Sequence, residues 1–172
     1  MINKLQNYYK LTSLKFYINK VCSEFNIDPE ILKAIVWTES KGNPDAIRYE
    51  EGFYVRYVRN QRPLIGHHSK GVCSYKTEKH SRSMSWGLCQ IMGQTARELG
   101  FKGDFCSELN DPKTNLYYGA KCLRSKINQE KGDLYAGILR YNGGGDPNYT
   151  SKVLNNKKVK YEEVFFNIID NF

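Results

Sequence analysis

Two Asp-Pro pairs, Asp28-Pro29 and Asp111-Pro112, constrain the fold of this chain more than any other feature. Aspartate is a favourable N-cap, and proline is favoured in the first helical turn. Behind the first pair we predict a helix that runs to about Ser40 and is stopped by Gly42. Behind the second pair, apolar residues recur at helical spacing, at Leu116, Ala120, Leu123 and Ile127. The chain therefore contains at least two amphipathic helices with well-marked starts.

The remaining pattern predicts further helices around one irregular stretch. We expect a helix over residues 2–25, interrupted near Thr12-Ser13, because apolar positions such as Ile2, Leu5, Leu14 and Ile18 fall mostly at helical spacing. Further helices are expected over 86–99, from Asp133 to Tyr141, and once or twice within 148–172, where Val153, Ile168 and Ile169 are apolar. Residues 45–84 read as a loop with short strands. The fold class is thus mainly α.

Length and composition limit the classes of protein to which the chain can belong. With 172 residues it suits a single domain, 1–172, and its 40% hydrophobic residues exclude a disordered chain. No apolar run reaches the ~18 residues that a membrane span needs. The net charge of +8 favours an anionic partner, such as nucleic acid, an acidic membrane surface or a bacterial cell wall.

The cysteines and the N-terminus give two further expectations. An odd count, Cys22, Cys73, Cys89, Cys106 and Cys122, argues against a complete disulfide framework, so we expect mostly buried free thiols. No apolar stretch typical of a secretory signal is present near Met1. We therefore expect either a protein that is not exported by that route or a leader outside this numbering.

One carboxylate, that of Glu39, lies on the face of a predicted helix that we expect to be buried. Glu39 follows Ile35 by four residues and Val36 by three, so it extends the apolar stripe of the helix that begins at Pro29. Desolvation there would raise its pKa and keep it protonated, as a general acid requires. The alternative is an ordinary helix-end glutamate with its carboxylate in water.

Four segments together resemble one enzyme family. Residues 85–92 with Thr95-Ala96 are similar to the signature S-x-G-L-M-Q-I-M-P-x-T-A of lytic transglycosylases. Glu39-Ser40 with Asn43-Pro44 resembles the catalytic E-S…N-P-x-A block, and residues 139–144 resemble A-Y-N-x-G. The helix behind Asp111-Pro112 matches D-P-x-x-N…G-x-x-Y-L. The order is that of the family, soluble lytic murein transglycosylases of the goose-type lysozyme-like group, which implies a lysozyme-like helical bundle with a cleft.

The resemblance implies roles for five residues. Glu39 matches the catalytic glutamate, and Ser85, Gln90, Tyr141 and Asn142 match positions that line the cleft and bind substrate. Two structural readings stay open. Ser85 can also cap a helix that starts at Trp86, a role compatible with substrate binding, and Tyr141 can belong to the core while its hydroxyl reaches Glu39 or the substrate.

The main departure from the family is an insert over residues 47–84, which separates Glu39 from Ser85 by 46 positions. Smaller departures place Cys89, Gly93 and Cys122 where the family has Met, Pro and Tyr. We expect the insert to border the cleft. Its basic residues then form a cationic wall or a merely solvated loop: Arg48, Arg56, Arg59, Arg62, Lys70, Lys76, Lys79 and Arg82. Its acidic residues are Glu50, Glu51 and Glu78, and Glu50 is the candidate second carboxylate.

The resemblance implies an enzyme that cleaves peptidoglycan between N-acetylmuramic acid and N-acetylglucosamine, by lytic transglycosylation and without a cofactor. The alternatives are a hydrolytic muramidase and a non-catalytic wall-binding or virion module. We expect a monomer that acts on the cell wall, in the periplasm or outside the cell, with phage settings included. We expect no nucleic-acid partner and no membrane insertion. His67, His68, Cys73 and His80 follow no common metal-ligand spacing, so no metal is expected.

Overall fold

The computed structural model describes the backbone of residues 2–166 and the side chains of residues 10–166. The predicted apolar positions Ile2 and Leu5 lie outside the described side chains, and Ile168 and Ile169 lie outside the described residues altogether.

Within these residues the fold is mainly helical, as expected. Two irregular helical segments accompany the α-helices, a π-helical turn at Tyr54–Val58 and a 3-10 helix at Cys106–Asn110. The α-helices are α1 (Ile2–Glu24), α2 (Pro29–Ser40), α3 (Glu51–Phe53), α4 (Tyr75–Arg82), α5 (Gly93–Glu98), α6 (Pro112–Gln129), α7 (Leu134–Tyr141), α8 (Tyr149–Asn156) and α9 (Tyr161–Val164).

The helix starts that the sequence marks are those of the structure. The Asp28 carboxylate accepts from the Glu30 amide at 2.9 Å, and that of Asp111 accepts from the Thr114 amide at 2.8 Å. Helix α2 ends where Lys41 and Gly42 both adopt positive φ. Helix α1 runs without a break, so the predicted interruption near Thr12-Ser13 is wrong.

The core lies where α2 meets the helices that follow the insert. Helix α6 packs on α7, and α8 packs on α2. The side chains that meet there are fully buried: Leu32, Ile35, Leu116, Leu123, Ile138 and Val153. The apolar stripes of α2 and α6 are therefore the faces that the sequence predicts.

A small antiparallel sheet closes the base of the insert. It contains β1 (Ile47–Tyr49), β2 (Met84–Trp86) and β3 (Ile91–Met92), in the order β1-β2-β3. Arg48 pairs with Ser85, and Ser85 pairs with Met92. Because β1 opens the insert and β2 follows it, the two ends of the inserted chain lie side by side.

The helix predicted over 86–99 is wrong in its first half. Gly87 and Gln90 have φ values of 65° and 47°, which a right-handed helix does not allow, and the chain makes a β2–β3 turn there. Asn115 holds this turn: it accepts from the Cys89 amide at 2.7 Å and donates to the Trp86 carbonyl at 2.8 Å. Only α5 remains of the predicted helix. Ser85 is consequently a strand residue, and its predicted helix-capping role is wrong.

The insert is more helical than its sequence indicates. It holds α3, the π-helical turn and α4, where a loop with strands was expected and only β1 and the start of β2 are extended. Ser74 caps α4 by accepting from the Thr77 amide at 3.1 Å. Periodicity missed α4 because its buried side chains are Glu78, Lys79 and Arg82 rather than apolar residues.

All five cysteines are buried free thiols, as expected. Among the described residues, no helix combines the length and the apolar character that crossing a bilayer requires.

Candidate active site

A cavity of about 850 Å³ lies between the helical bundle and the insert. The bundle contributes residues from the C-terminal end of α2, from α6 and from the end of α7. The insert contributes residues between Arg48 and Ile65, and the β2–β3 region lies between these two sides. Every residue assigned to the site from sequence lines this one cavity: Glu39, Glu50, Ser85, Gln90, Tyr141 and Asn142.

Glu39 occupies the last turn of α2, with its side chain half-buried at the cavity wall. Its neighbour Ser40 donates to the Leu88 carbonyl at 2.8 Å, which ties the end of α2 to the β2–β3 turn. Desolvation raises the pKa of the Glu39 carboxyl, and the nearby Arg48 charge and a hydrogen bond oppose that rise without cancelling it. The carboxyl is therefore held in place by a hydrogen bond, and its pKa lies above the ordinary value of a glutamate.

The hydrogen bond to Glu39 comes from a residue that sequence reasoning missed. The hydroxyl of Tyr149 donates to Glu39 Oε1 at 2.5 Å. Tyr149 starts α8, is buried, and has its pKa raised by burial, so the phenol stays protonated and acts as a donor. The signal available in the sequence was its spacing of four from Val153, which places both residues on the buried face of α8.

Ser85 and Gln90 bond to each other at the cavity wall. The Ser85 hydroxyl donates to Gln90 Oε1 at 2.8 Å. The Gln90 amide donates in turn to the carbonyls of Ala46 and Gly87, at 2.9 and 2.8 Å. These bonds shape the β2–β3 turn and join it to the chain that leads into β1. Contact of Ser85 or Gln90 with a substrate stays a prediction.

Tyr141 and Asn142 end α7 beside the same turn. The Tyr141 hydroxyl donates to the Cys89 carbonyl at 2.8 Å rather than to Glu39, where Tyr149 takes that place. Burial raises the pKa of Tyr141 well above its ordinary value. The Asn142 side-chain oxygen accepts from the Asp146 amide at 3.2 Å, closing the glycine-rich turn after α7. Both residues thus build the cavity wall, and their binding roles stay predictions.

The candidate carboxylates of the insert separate into three positions. Glu50 lines the cavity and pairs with the Arg48 guanidinium. Glu51 is exposed and does not line the cavity. Glu78 is completely buried in ion pairs with Arg82 and Arg97, both at 2.8 Å, so it cannot enter the cleft.

The cationic side of the cavity is not confined to the insert. Arg48 and Arg56 line it from the insert, and Lys126 and Arg140 line it from the bundle. Lys79 and Arg82, which the sequence placed in a cationic wall or a solvated loop, are instead buried and bonded internally. A further carboxylate that sequence reasoning missed, Glu98, also lines the cavity and accepts from the Gln94 amide at 2.8 Å.

Comparison with known proteins agrees with this architecture. The family model described as "Transglycosylase SLT domain" matches residues 16–165. A protein of Enterobacteria phage PRD1 named "Transglycosylase" is 28% identical over 127 residues, which are 74% of this chain and 33% of that relative. The chain thus spans about a third of the length of that relative. No solved structure matches significantly. Because the family model covers most of the sequence, this chain belongs to the transglycosylase SLT domain family.

Proposed function

We propose that this chain is a peptidoglycan-cleaving catalytic domain that breaks the β-1,4 bond between N-acetylmuramic acid and N-acetylglucosamine by lytic transglycosylation. The observation that carries the proposal is the state of Glu39, a desolvated carboxyl with raised pKa, bonded by a buried tyrosine at the wall of a large cavity. Family membership supports the reaction class. We further propose that residues 1–172 form a single domain of this kind.

In the first step Glu39 acts as general acid. Its proton moves to the glycosidic oxygen as the bond to C1 of the muramic acid breaks, and the N-acetylglucosamine end leaves as an alcohol. The donated bond from Tyr149 then stabilises the carboxylate that remains. Burial at the end of α2 raises the pKa of this carboxyl, which is the direction that a general acid requires.

In the second step the Glu39 carboxylate acts as general base. It removes the proton from the C6 hydroxyl of the same muramic acid, whose oxygen attacks C1 and closes a 1,6-anhydro ring. The proton lost in the first step is thereby recovered, and no water is consumed. A single carboxyl completes the cycle.

The hydrolytic alternative requires a second carboxylate that activates water, about 6.5–9.5 Å from the acid in inverting enzymes. Glu50 lines the cavity and keeps this alternative open. Its oxygen is bonded by the guanidinium of Arg48, whose charge also acts on Glu39. A carboxylate oxygen that is bonded to a guanidinium is not free to bind an attacking water, which favours transglycosylation.

The charge around the cavity suits the anionic cell-wall polymer. Four basic side chains line the cavity, Arg48, Arg56, Lys126 and Arg140. The whole chain carries a net charge of +8. Such a surface raises the local concentration of a polyanion. We propose that the domain acts as a monomer on the wall from the periplasmic or extracellular side, without a cofactor, a metal, nucleic acid or membrane insertion, and that phage-encoded lysis is one such setting.

Mass spectrometry of digested peptidoglycan tests the proposal. We expect soluble fragments that end in 1,6-anhydromuramic acid. If all fragments instead end in hydrated reducing sugars, the reaction is hydrolysis and the proposed transglycosylation is wrong. A chain that binds the wall and releases no fragments under any condition would instead be a non-catalytic module. Glu39→Gln should abolish release while leaving binding to sedimented walls intact.

A further inference from the structure

The insert exposes several apolar side chains, and two of them, Tyr57 and Ile65, line the cavity. Among the described residues, most of the exposed large hydrophobic side chains lie between Ile47 and Tyr75. Tyr57 is 53% exposed, and Phe53 one turn earlier is half-buried. Exposed aromatic side chains grouped on one surface commonly mark a binding site.

These two aromatic side chains form a pair within the cavity. Their ring centroids are 4.9 Å apart and their planes are inclined by 51°. The guanidinium of Arg56 lies 5.7 Å from the centre of the Tyr57 ring. All three side chains line the cavity that Glu39 lines, so the aromatic surface is continuous with the candidate active site.

The backbone beneath the pair is irregular. Residues 54–58 form a π-helical turn, and the Arg59 amide bonds the Tyr54 carbonyl at 2.8 Å. Single π-helical turns are rare and are found frequently at functional sites. The turn directly follows α3, so that Phe53 is the last residue of α3 and Tyr57 lies within the turn.

The segment is anchored by residues other than the aromatic pair, Phe53 and Tyr57. Val58 is completely buried, and the π-helical turn that contains it packs against α4. Tyr54 stacks on His80 of α4, with ring centroids 4.9 Å apart and planes inclined by 14°. Anchoring is thus provided by Val58 and Tyr54, whereas Phe53 and Tyr57 face the cavity.

We propose that Phe53 and Tyr57 form a stacking platform for pyranose rings of the glycan strand, at a position beyond the sugars held at Glu39. The inference rests on the proposed function for the identity of the ligand. An N-acetylhexosamine ring presents a face of C–H groups that packs on an aromatic ring, and its polar groups suit the adjacent Arg56 and Gln61. The platform lies in the insert, so it lengthens the binding surface without altering the reacting groups.

Binding to a soluble sugar polymer tests the platform separately from cleavage. In the Glu39→Gln background we would measure the Kd for the β-1,4-linked hexamer and trimer of N-acetylglucosamine by calorimetry. Phe53→Ala and Tyr57→Ala should each weaken hexamer binding about threefold to tenfold. Trimer binding should change less than hexamer binding if, as proposed, the platform lies beyond the sugars held at Glu39. Tyr57→Phe should retain hexamer binding because it keeps the ring.

Two matched controls are available. Val55→Ala removes an exposed apolar side chain of the same turn that does not line the cavity, and Tyr135→Ala removes an exposed aromatic ring on α7. Both should bind the hexamer as the parent does. Equal affinities for Tyr57→Ala, Phe53→Ala and Val55→Ala would overturn the platform.

Activity of the chain with Glu39 intact gives a second readout. On long peptidoglycan strands Tyr57→Ala should raise KM and leave kcat nearly unchanged, because stacking contributes to binding away from the reacting bond. If the parent enzyme releases no fragments at all, the proposed function fails while the hexamer measurement still reports on the platform. If it releases fragments and the two platform variants match Val55→Ala, only the platform fails.

Discussion

The bundle side and the insert side of the cavity are stabilised by different means. Helices α2, α6 and α7 rest on a continuous apolar core that contains Leu32, Leu116 and Ile138. The insert side rests on a buried ionic cluster, Glu78 with Arg82 and Arg97. Arg82 donates to the carbonyls of Ile65 and His67, and Arg97 donates to those of Phe101 and Gly103, so the cluster holds several loops at once.

This difference follows from what each sequence region offers for burial. The bundle helices carry apolar stripes that pack without directional partners. The insert has few apolar residues at regular spacing, and α4 buries charged side chains that need defined partners. Apolar packing therefore positions Glu39 on the bundle side, while the insert buries an ionic cluster and presents exposed aromatic side chains.

The largest expected effect lies on the bundle side. Glu39→Gln should lower the rate of fragment release by about 10²–10⁴-fold, the usual contribution of a general acid–base group. Glu51→Gln, an exposed glutamate outside the cavity, serves as the matched control and should keep full activity. Retained activity in Glu39→Gln would remove Glu39 from the mechanism.

The same variant predicts a pH-dependent change in stability. The folded-state pKa of Glu39 is raised, so ionisation costs the wild-type protein stability as pH rises from about 4.3 through that pKa. Glutamine carries no such cost. The free energy of unfolding of Glu39→Gln, relative to wild type, should therefore be larger at pH 7 than at pH 4, as urea titrations at both pH values would measure.

The next largest effect is expected on the stability of the insert side. Glu78→Gln leaves two buried guanidinium groups without their anion and should lower the free energy of unfolding by about 3–5 kcal/mol. Thermal and urea unfolding measure the change. Glu163→Gln, an exposed glutamate of α9, should be neutral. A neutral Glu78→Gln would mean that the cluster does not stabilise this side.

Alanine substitutions at two glycines, one on each side of the cavity, compare how tightly the two sides are packed. A Cβ at Gly119 of α6 would lie 2.5 Å from Cys89 Sγ, whereas a Cβ at Gly52 of α3 would have no neighbour within 4 Å. Gly119→Ala should lower the free energy of unfolding by about 1–3 kcal/mol through overpacking. Gly52→Ala should be neutral or stabilising by up to about 1 kcal/mol, because alanine favours helix. Equal effects in urea unfolding would contradict the difference in packing.

A smaller effect is expected from the partner of the catalytic carboxyl. Tyr149→Phe removes the hydrogen bond that lowers the pKa of Glu39, so that pKa should rise further. The alkaline limb of the rate–pH profile should then move to higher pH, and the free energy of unfolding should fall by about 1 kcal/mol. Tyr135→Phe, an exposed tyrosine, should leave the profile in place. An unmoved limb in Tyr149→Phe would leave Tyr149 with a packing role only.

The smallest expected effect concerns the product. If transglycosylation is the reaction, Glu50→Gln should change the rate of fragment release by less than about threefold and leave anhydro ends in place. A hydrolase that used Glu50 as its base would lose about 10²-fold or more. Mass spectrometry and release rates, measured on the same digests, separate the two outcomes.

The sequence predicted the parts of the fold that local chemistry decides. Asp28-Pro29 and Asp111-Pro112 start helices because capping is a short-range interaction, and the stripe of α6 is buried because its spacing matches the helical period. Helix α4 was missed because it buries charged residues. The first half of the helix predicted over 86–99 was wrong because Asn115, distant in sequence, holds a turn there.

For the site, the sequence by itself determined the family and the candidate residues, since the motifs that surround Glu39, Ser85, Gln90 and Tyr141 are local strings. Only the tertiary structure decided their partners. It joined Tyr149 to Glu39, Tyr141 to the Cys89 carbonyl and Glu78 to two arginines. Hydrogen bonds and ion pairs between distant segments depend on how helices pack, and one-dimensional spacing does not encode that packing.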